Sequence, residues 1–405
     1  MNPPAVEVSV GMERYATPGA RCNGRAKSAP EDFRVEEVLT GGAVVKEHRP
    51  GLYPLYRVEK RGIDTFHMAK EVSSELRSRV SYCGLKDSRA VAVQYLTPTS
   101  RNAQRPERIA RERFTALLTG YLPKPLTRSS LIGNRFAIVL RDCCGQVKER
   151  IEETFKAGSE RRIPNYFGLQ RFGTKGAGTH LVGKALVLGD FEGAVSLILD
   201  RTTDQAGAES GGLKKGQDVE RAVSGEIDRH PGDWIGALRA VPVGLRRLYV
   251  QAYQSYLFNL SLSRALEAGE DISCYIKGDN WAEVSEDGLV SSYPRSAKDA
   301  PGGGSTPLVQ VVGYAYRNYG SRFDAHIGGV LRAEGVAPGG FFLREMQEVS
   351  AEGGFRRPHI AMAHASWRVE DGAATLSFTL ARGQYATVLL REILKPDDPQ
   401  GTGLF

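Results

Sequence analysis

Cysteine is scarce in this 405-residue chain, and its spacing suits neither metal nor disulfide. The five are Cys22, Cys83, Cys143, Cys144 and Cys274, an odd number with no CxxC pair and two of them adjacent. That pattern excludes a disulfide framework, argues against zinc and suits a reducing compartment. The seven histidines form no HxxxH pair, and no DxDxxxDD-like run of acids occurs, so no metal is expected. No apolar run approaches the length of a membrane span, and the opening MNPPAVEVSV lacks the pattern of a secretory signal. On these grounds the expectation is a cytoplasmic protein without a membrane partner. A strong excess of one charge is missing too. Lys plus Arg number 54 against 47 Asp plus Glu, leaving +7, which permits a polyanionic partner without demanding one.

What is present is ordinary soluble material, 41% hydrophobic and 25% charged, enough for two or three domains. Strand patterns run over Phe33–Leu39, 52–60, 90–96, 114–118 and 134–141. A helix capped by Asp64 or Thr65 follows the second, and another is expected at 146–156. This first portion reads as α+β around an antiparallel sheet. From Ile163 the texture becomes helical, at 178–188, 190–199, 245–268 and 321–334, with a strand at 309–315. The polar stretch 201–233 reads as a mobile loop, and 296–307, with Gly302-Gly303-Gly304, as a second flexible point. The end, a strand at 374–380, a Gly383 turn and a helix at 385–394, has the texture of the beginning. The expected organisation is one domain from 1–162 with 375–405, and a second, 163–374, inserted into it.

Five segments stand out. Gly84-Leu85-Lys86-Asp87-Ser88-Arg89-Ala90 sets a carboxylate in a glycine-containing turn ahead of a strand, flanked by Lys86 and Arg89. Cations beside it favour the ionised form, as a nucleophile or base requires. The same residues also make an ordinary surface turn in which Asp87 bonds its own backbone. Asn165-Tyr166-Phe167-Gly168-Leu169-Gln170-Arg171-Phe172-Gly173 gathers aromatics, amides and an arginine, the chemistry of a base-stacking loop or of an aromatic domain junction. The stretch around Gln254–Asn259 carries the apolar stripe of a core helix, with Arg246 and Arg247 near its start. Segments 27–37 and 380–392 are undistinguished singly; Lys27 can pair with a carboxylate or a phosphate, and Arg391 with Glu392 or the core.

Together and in order, the five resemble the TruD family of pseudouridine synthases. The matches are KxxPEDFxVxE from Lys27, GLKDxxA from Gly84, NYFGxQRFG from Asn165, QSYLFN from Gln254 and GxYATxLLRE from Gly383. The resemblance implies a pseudouridine-synthase catalytic domain with a mixed, mainly antiparallel sheet, interrupted by an α/β TRUD domain. It implies isomerisation of a uridine in tRNA, in most members at tRNA position 13, without a cofactor. It makes Asp87 the catalytic carboxylate, sets Lys27 beside it, and arranges Phe33, Asn165, Phe167 and Tyr385 around the target base; Tyr385 stands where members carry Phe or Tyr. The uridine leaves its stack, its N1–C1′ bond breaks, and C5 joins C1′. Asp87 serves as nucleophile or as base toward a ribose hydrogen, and the sequence does not choose. Two rivals share the features: a non-catalytic tRNA-binding chaperone, and a hydrolase of the nucleoside C–N bond.

Overall fold

The computed structural model describes residues 1–40, 44–47, 49–143, 145–173, 176–200, 216–284 and 305–404. The chain opens with a helical turn, α1 (Ala5–Val8), then forms β1 (Phe33–Leu39), β2 (Tyr53–Lys60), α2 (Thr65–Leu76), β3 (Val80–Tyr82), β4 (Val91–Pro98), β5 (Arg108–Ala110), β6 (Phe114–Leu122), β7 (Leu131–Leu140) and α3 (Val147–Ser159). It continues through α4 (Thr179–Leu188), α5 (Phe191–Leu199), α6 (Gly216–Arg229), α7 (Trp234–Ala240), α8 (Val243–Glu267), β8 (Asn280–Glu283), β9 (Ser305–Val311), α9 (Arg322–Glu334) and β10 (Gly354–Arg356). It closes with β11 (Met362–Glu370), β12 (Ala373–Ala381) and α10 (Ala386–Leu394).

Nine strands form one sheet in the order β11-β12-β7-β1-β4-β2-β6-β5, with β3 on β4. The β1–β4 pair is parallel, and the other pairs of this sheet are antiparallel. The expected α+β class with a mixed, mainly antiparallel sheet is therefore what the chain adopts. Alternation on β1 explains its place: Phe33, Val35 and Glu37 are buried on one face, while Arg34 and Glu36 look out on the other. Arg34 pairs with Glu59, and Arg57 with Glu36, across that outer face. Under the inner face, Phe33, Phe136, Phe378 and Phe155 form a ladder of ring contacts 5.5 to 6.2 Å apart, reaching α3. Helix α2 covers the other half of the sheet through Met68, Val72 and Leu76. Its cap is Asp64, whose side chain accepts from the His67 N–H.

The middle of the chain builds a helical assembly around α8. Gly183 on α4 lies against it so closely that a Cβ there would sit 2.0 Å from the Tyr249 carbonyl oxygen, so a side chain would force the helices apart. A small antiparallel sheet, β10-β9-β8, completes this part.

Three expectations need adjustment. Of the polar stretch 201–233, residues 201–215 lie outside the described residues, but Gly216–Arg229 is helical, not a loop. Val219 and Val223 are buried, and Ile227 continues their spacing of four against the core, an apolar stripe too thin to stand out among charged neighbours. Of 296–307, residues 296–304 lie outside the described residues, and Ser305 already opens β9. The chain also re-enters the large sheet with β11 at Met362, ahead of the return expected near 375. This is an edge strand, largely exposed along its length, so it lacks the alternation that reveals half-buried strands.

Candidate active site

The turn Gly84–Asp87 joins β3 to β4 and is pinned from beneath by three side chains. Lys60, at the end of β2, is 1% exposed. Its ammonium donates to the carbonyls of Ile63 at 2.8 Å, Lys86 at 3.1 Å and Asp87 at 3.0 Å. Thr65 Oγ1 accepts from the Lys86 N–H at 2.9 Å and donates to Gln94 Oε1 at 2.8 Å. Gln94 Nε2 in turn donates to the Gly84 carbonyl at 2.8 Å. The turn is held by β2, by β4 and by the first turn of α2 together.

The carboxylate above this base is held but not sealed. Lys27 Nζ lies 3.2 Å from Asp87 Oδ2, with side-chain exposures of 9% and 31%. The other oxygen, Oδ1, accepts from the Arg89 N–H at 2.9 Å. Burial by itself would raise the carboxyl's pKa; the charge of Lys27, the Arg89 N–H, the Lys27 hydrogen bond and the Arg89 charge outweigh it, and the net shift is downward. The group is therefore an ionised carboxylate at neutral pH with a third of its surface open. Lys27 itself sits at φ +55, in the left-handed region where a non-glycine residue is uncommon. Its ammonium also lies 4.9 Å from the centre of the Phe33 ring.

Lys86 departs from the sequence expectation. It turns away from Asp87 and places Nζ 3.2 Å from Glu37 Oε1, an acid with no side-chain exposure. Adjacent side chains in an extended turn point opposite ways, so the cation that faces Asp87 comes from 60 residues upstream.

The second half of the site is aromatic. Phe167 and Tyr385 are half-buried with ring centres 6.3 Å apart. Between the segments that carry them lies an arginine that belongs to none of the five motifs, marked in the sequence only as half of the Arg356-Arg357 pair. Arg356, on β10, places its guanidinium 4.0 Å over the Phe167 ring and 5.8 Å from Tyr385. It donates to the Asn165 carbonyl at 3.0 Å, to Asn165 Oδ1 at 2.7 Å and to the Gly383 carbonyl at 2.7 Å. Asn165 is buried, and its Nδ2 donates to the Arg357 carbonyl at 3.0 Å. Both ends of that amide thus face protein, and Asn165 orients Arg356. Phe33 likewise lies in the core, 7% exposed and edge-on to Phe136.

One chain of contacts ties the halves together. Ala26, beside Lys27, donates its N–H to the Thr402 carbonyl at 2.9 Å. Gly403 follows at φ +76, where a Cβ would stand 2.1 Å from the Ala26 carbonyl oxygen. Next, the Leu404 carbonyl accepts from Gln170 Nε2 at 3.1 Å, and Gln170 also donates to Thr387 Oγ1 at 3.0 Å. A cleft of about 660 Å³ beyond Ser88, lined by Asp64, Glu71, Arg111, Glu112 and Arg113, contains none of these residues. Among the described residues no cluster of His, Cys, Asp and Glu has metal-binding form, and no helix is long and apolar enough to cross a membrane.

An α+β protein with a mixed sheet, an ionised carboxylate on a pinned turn and a half-buried aromatic pair joined to it through the chain's last residues has the outline of an enzyme acting on a nucleic-acid base. The sequence matches the family described as tRNA pseudouridine synthase D (TruD) over residues 9–393. It is 34% identical over 428 residues to a probable tRNA pseudouridine synthase D of Pyrobaculum neutrophilum, covering 99% of both chains. It is 28% identical to one from Methanosarcina mazei, covering 98% of each. The crystal structure of the putative tRNA pseudouridine synthase D (TruD) from Methanosarcina mazei superposes with a TM-score of 0.74 over 99% of this chain and all of that one, at 28% identity.

The chain belongs to the TruD family of tRNA pseudouridine synthases. It is an isomerase of uridine in tRNA, which sets aside the chaperone and the hydrolase.

Proposed function

We propose that Asp87 is the catalytic carboxylate of this synthase and that the target is the uridine at tRNA position 13. The observation that carries the reading is the Asp87 carboxylate itself. It is kept charged by Lys27, fixed by the Arg89 N–H, and a third exposed. A carboxylate that works on the ribose, as nucleophile toward C1′ or as base toward a ribose hydrogen, must be ionised and immobile, and both conditions hold. The uridine is flipped from its stack and rests on the open side of Phe167 with Tyr385 across from it. Asn165 acts through Arg356, and Phe33 through Lys27, so both are supports for the base-binding surface. The catalytic part is built on the large sheet, from 1–162 and the returning C-terminal segment, and the TRUD insert brings Asn165, Phe167 and Arg356 to it.

Asp87→Asn tests this on unmodified tRNA carrying 5-tritiated uridine. Tritium release should fall by at least about 10⁴-fold with melting temperature and tRNA affinity near those of the parent. Substantial release by the variant would refute the assignment. Mapping pseudouridine in the product tRNA tests position 13, and a single modified site elsewhere would overturn that part alone.

A further inference from the structure

The arginine of the second motif has no task in the scheme above. Arg171 lies 5.9 Å from the Phe167 ring that Arg356 covers at 4.0 Å. Elsewhere guanidiniums of this protein meet carboxylates: Arg57 with Glu36, Arg141 with Asp32, Arg246 with Glu348, Arg322 with Asp279 and Arg391 with Glu7. Among the described residues no carboxylate pairs with either Arg171 or Arg356. All four acceptors around Arg356 are neutral: the carbonyls of Asn165, Tyr166 and Gly383, and Asn165 Oδ1. Arg171 has two long contacts, from Nε to Ser255 Oγ at 3.4 Å and from Nη2 to Gln251 Oε1 at 3.3 Å, and its Nη1 has no acceptor among the described residues. Two like charges thus share one ring without a counter-ion. Burial, with a smaller push from the charge of Arg171, lowers the Arg356 pKa to about 10. Desolvated cations that repel each other are stabilised by an anion, and an arginine fork matches the oxygens of a phosphate diester.

We propose that Arg171, backed by the charge of Arg356, seats an RNA backbone phosphate adjoining the nucleotide that rests on Phe167. The proposal rests on the base-binding reading of Phe167. The two arginines divide the work. Arg356 has most of its N–H groups committed to protein carbonyls and supplies charge and rigidity. Arg171 is half-exposed, loosely tethered, and has donors to offer. A base stacked on the ring carries its phosphates past the ring edge, within reach of a side chain of this length.

The test uses the full-length protein, unmodified tRNA and a potassium chloride series, comparing Arg171→Gln, Arg171→Lys and Asp87→Asn with the parent. With Arg171→Gln, tRNA Kd and KM at low salt should rise about tenfold, and the slope of log Kd against log salt should become shallower by roughly 0.7 to 0.9. The effect should fall on KM far more than on kcat. Arg171→Lys, which keeps the charge, should keep the slope. An unaltered Kd in Arg171→Gln, or a weaker Kd with an unaltered slope, overturns the phosphate seat. The slope is read on folded protein well below the melting transition, so modest destabilisation does not move it. Asp87→Asn separates the two readings: it should bind with the parental slope and not turn over, and turnover by it sinks the catalytic assignment whatever Arg171 does.

Discussion

Lys27–Asp87 and Arg391–Glu7–Glu392 are both cation–carboxylate clusters built on residues of the five sequence segments, the second with Glu7 from the start of the chain, but the second is closed. Arg391 donates to Glu7 Oε2 at 2.7 Å, to Glu392 Oε1 at 3.2 Å and to the carbonyls of Arg14 and Met12. Glu392 Oε2 accepts from the N–H groups of Ala16 and Thr17 and from the Thr17 hydroxyl. Side-chain exposures there are 2%, 1% and 0%. This cluster clamps the first residues of the chain onto α10. In the Asp87 cluster the fixing groups are just as many, yet they grip the backbone from below and leave the carboxylate's outer surface open. A motif thus marks a site when its charged group keeps an open side, and a scaffold when every partner is internal.

The comparison breaks most visibly if the two clusters respond alike to substitution. Asp87→Asn should abolish turnover and leave stability nearly intact. Arg391→Ala should do the reverse, removing about 3 to 5 kcal/mol of stability by stranding Glu7 and Glu392, measured by denaturant unfolding. Activity per folded molecule at low temperature should survive in that variant. A stable but inactive Arg391→Ala would place the second cluster in the chemistry and undo the distinction.

The aromatic half sharpens the same contrast. Phe33 is a rung of the core ladder, so Phe33→Ala should cost about 3 kcal/mol of stability as well as activity. Phe167 is only partly buried, and Phe167→Ala should cost less stability and lower kcat/KM more. Equal losses of melting temperature would mean that Phe167 too is mere packing.

How much of this was legible in the sequence follows from what kind of partner each residue has. The motifs are local strings, and they led to the Asp87 turn, the Phe167 loop and the Tyr385 segment. Pairing is not local: the sequence shows Lys86 and Arg89 flanking Asp87, the resemblance alone points to Lys27, and in the structure Lys27 faces the carboxylate while Lys86 turns to Glu37. Lys60 carried no signal because its partners are backbone carbonyls, which have no side-chain signature, and Arg356 stood out only as half of a basic pair, with nothing local to join it to Asn165. Helix α6 was hidden by sparse apolar residues in a polar run, and β11 by exposure on its edge. Lys60 gives the next prediction. Lys60→Met keeps the length and removes three hydrogen bonds under the turn, so Asp87 shifts relative to the substrate. Turnover should fall about 10²-fold at unchanged tRNA Kd. A drop in affinity with normal turnover would show that the turn binds rather than reacts.

Lys27 and Lys60 differ in how they act on Asp87, and pH separates them. Lys27 faces the carboxylate and is the largest of the influences that lower its pKa against the raising effect of burial, whereas Lys60 donates to the main-chain carbonyl of Asp87 and holds the turn. A carboxyl with a depressed folded pKa stays ionised as pH falls and is lost only through that folded value. The ion pair's contribution to stability is likewise present above the unfolded pKa and disappears as pH drops through the folded one. Lys27→Met leaves burial with less opposition, so the acid limb of kcat/KM, which reports the free enzyme, should move to higher pH. The stability gap between this variant and the parent should narrow on acidification. In Lys60→Met the limb should stay where it is while the plateau falls. If both variants moved the limb equally, Lys60 would be acting as a charge and not as a support, and the division between the facing cation and the buried clamp would fail.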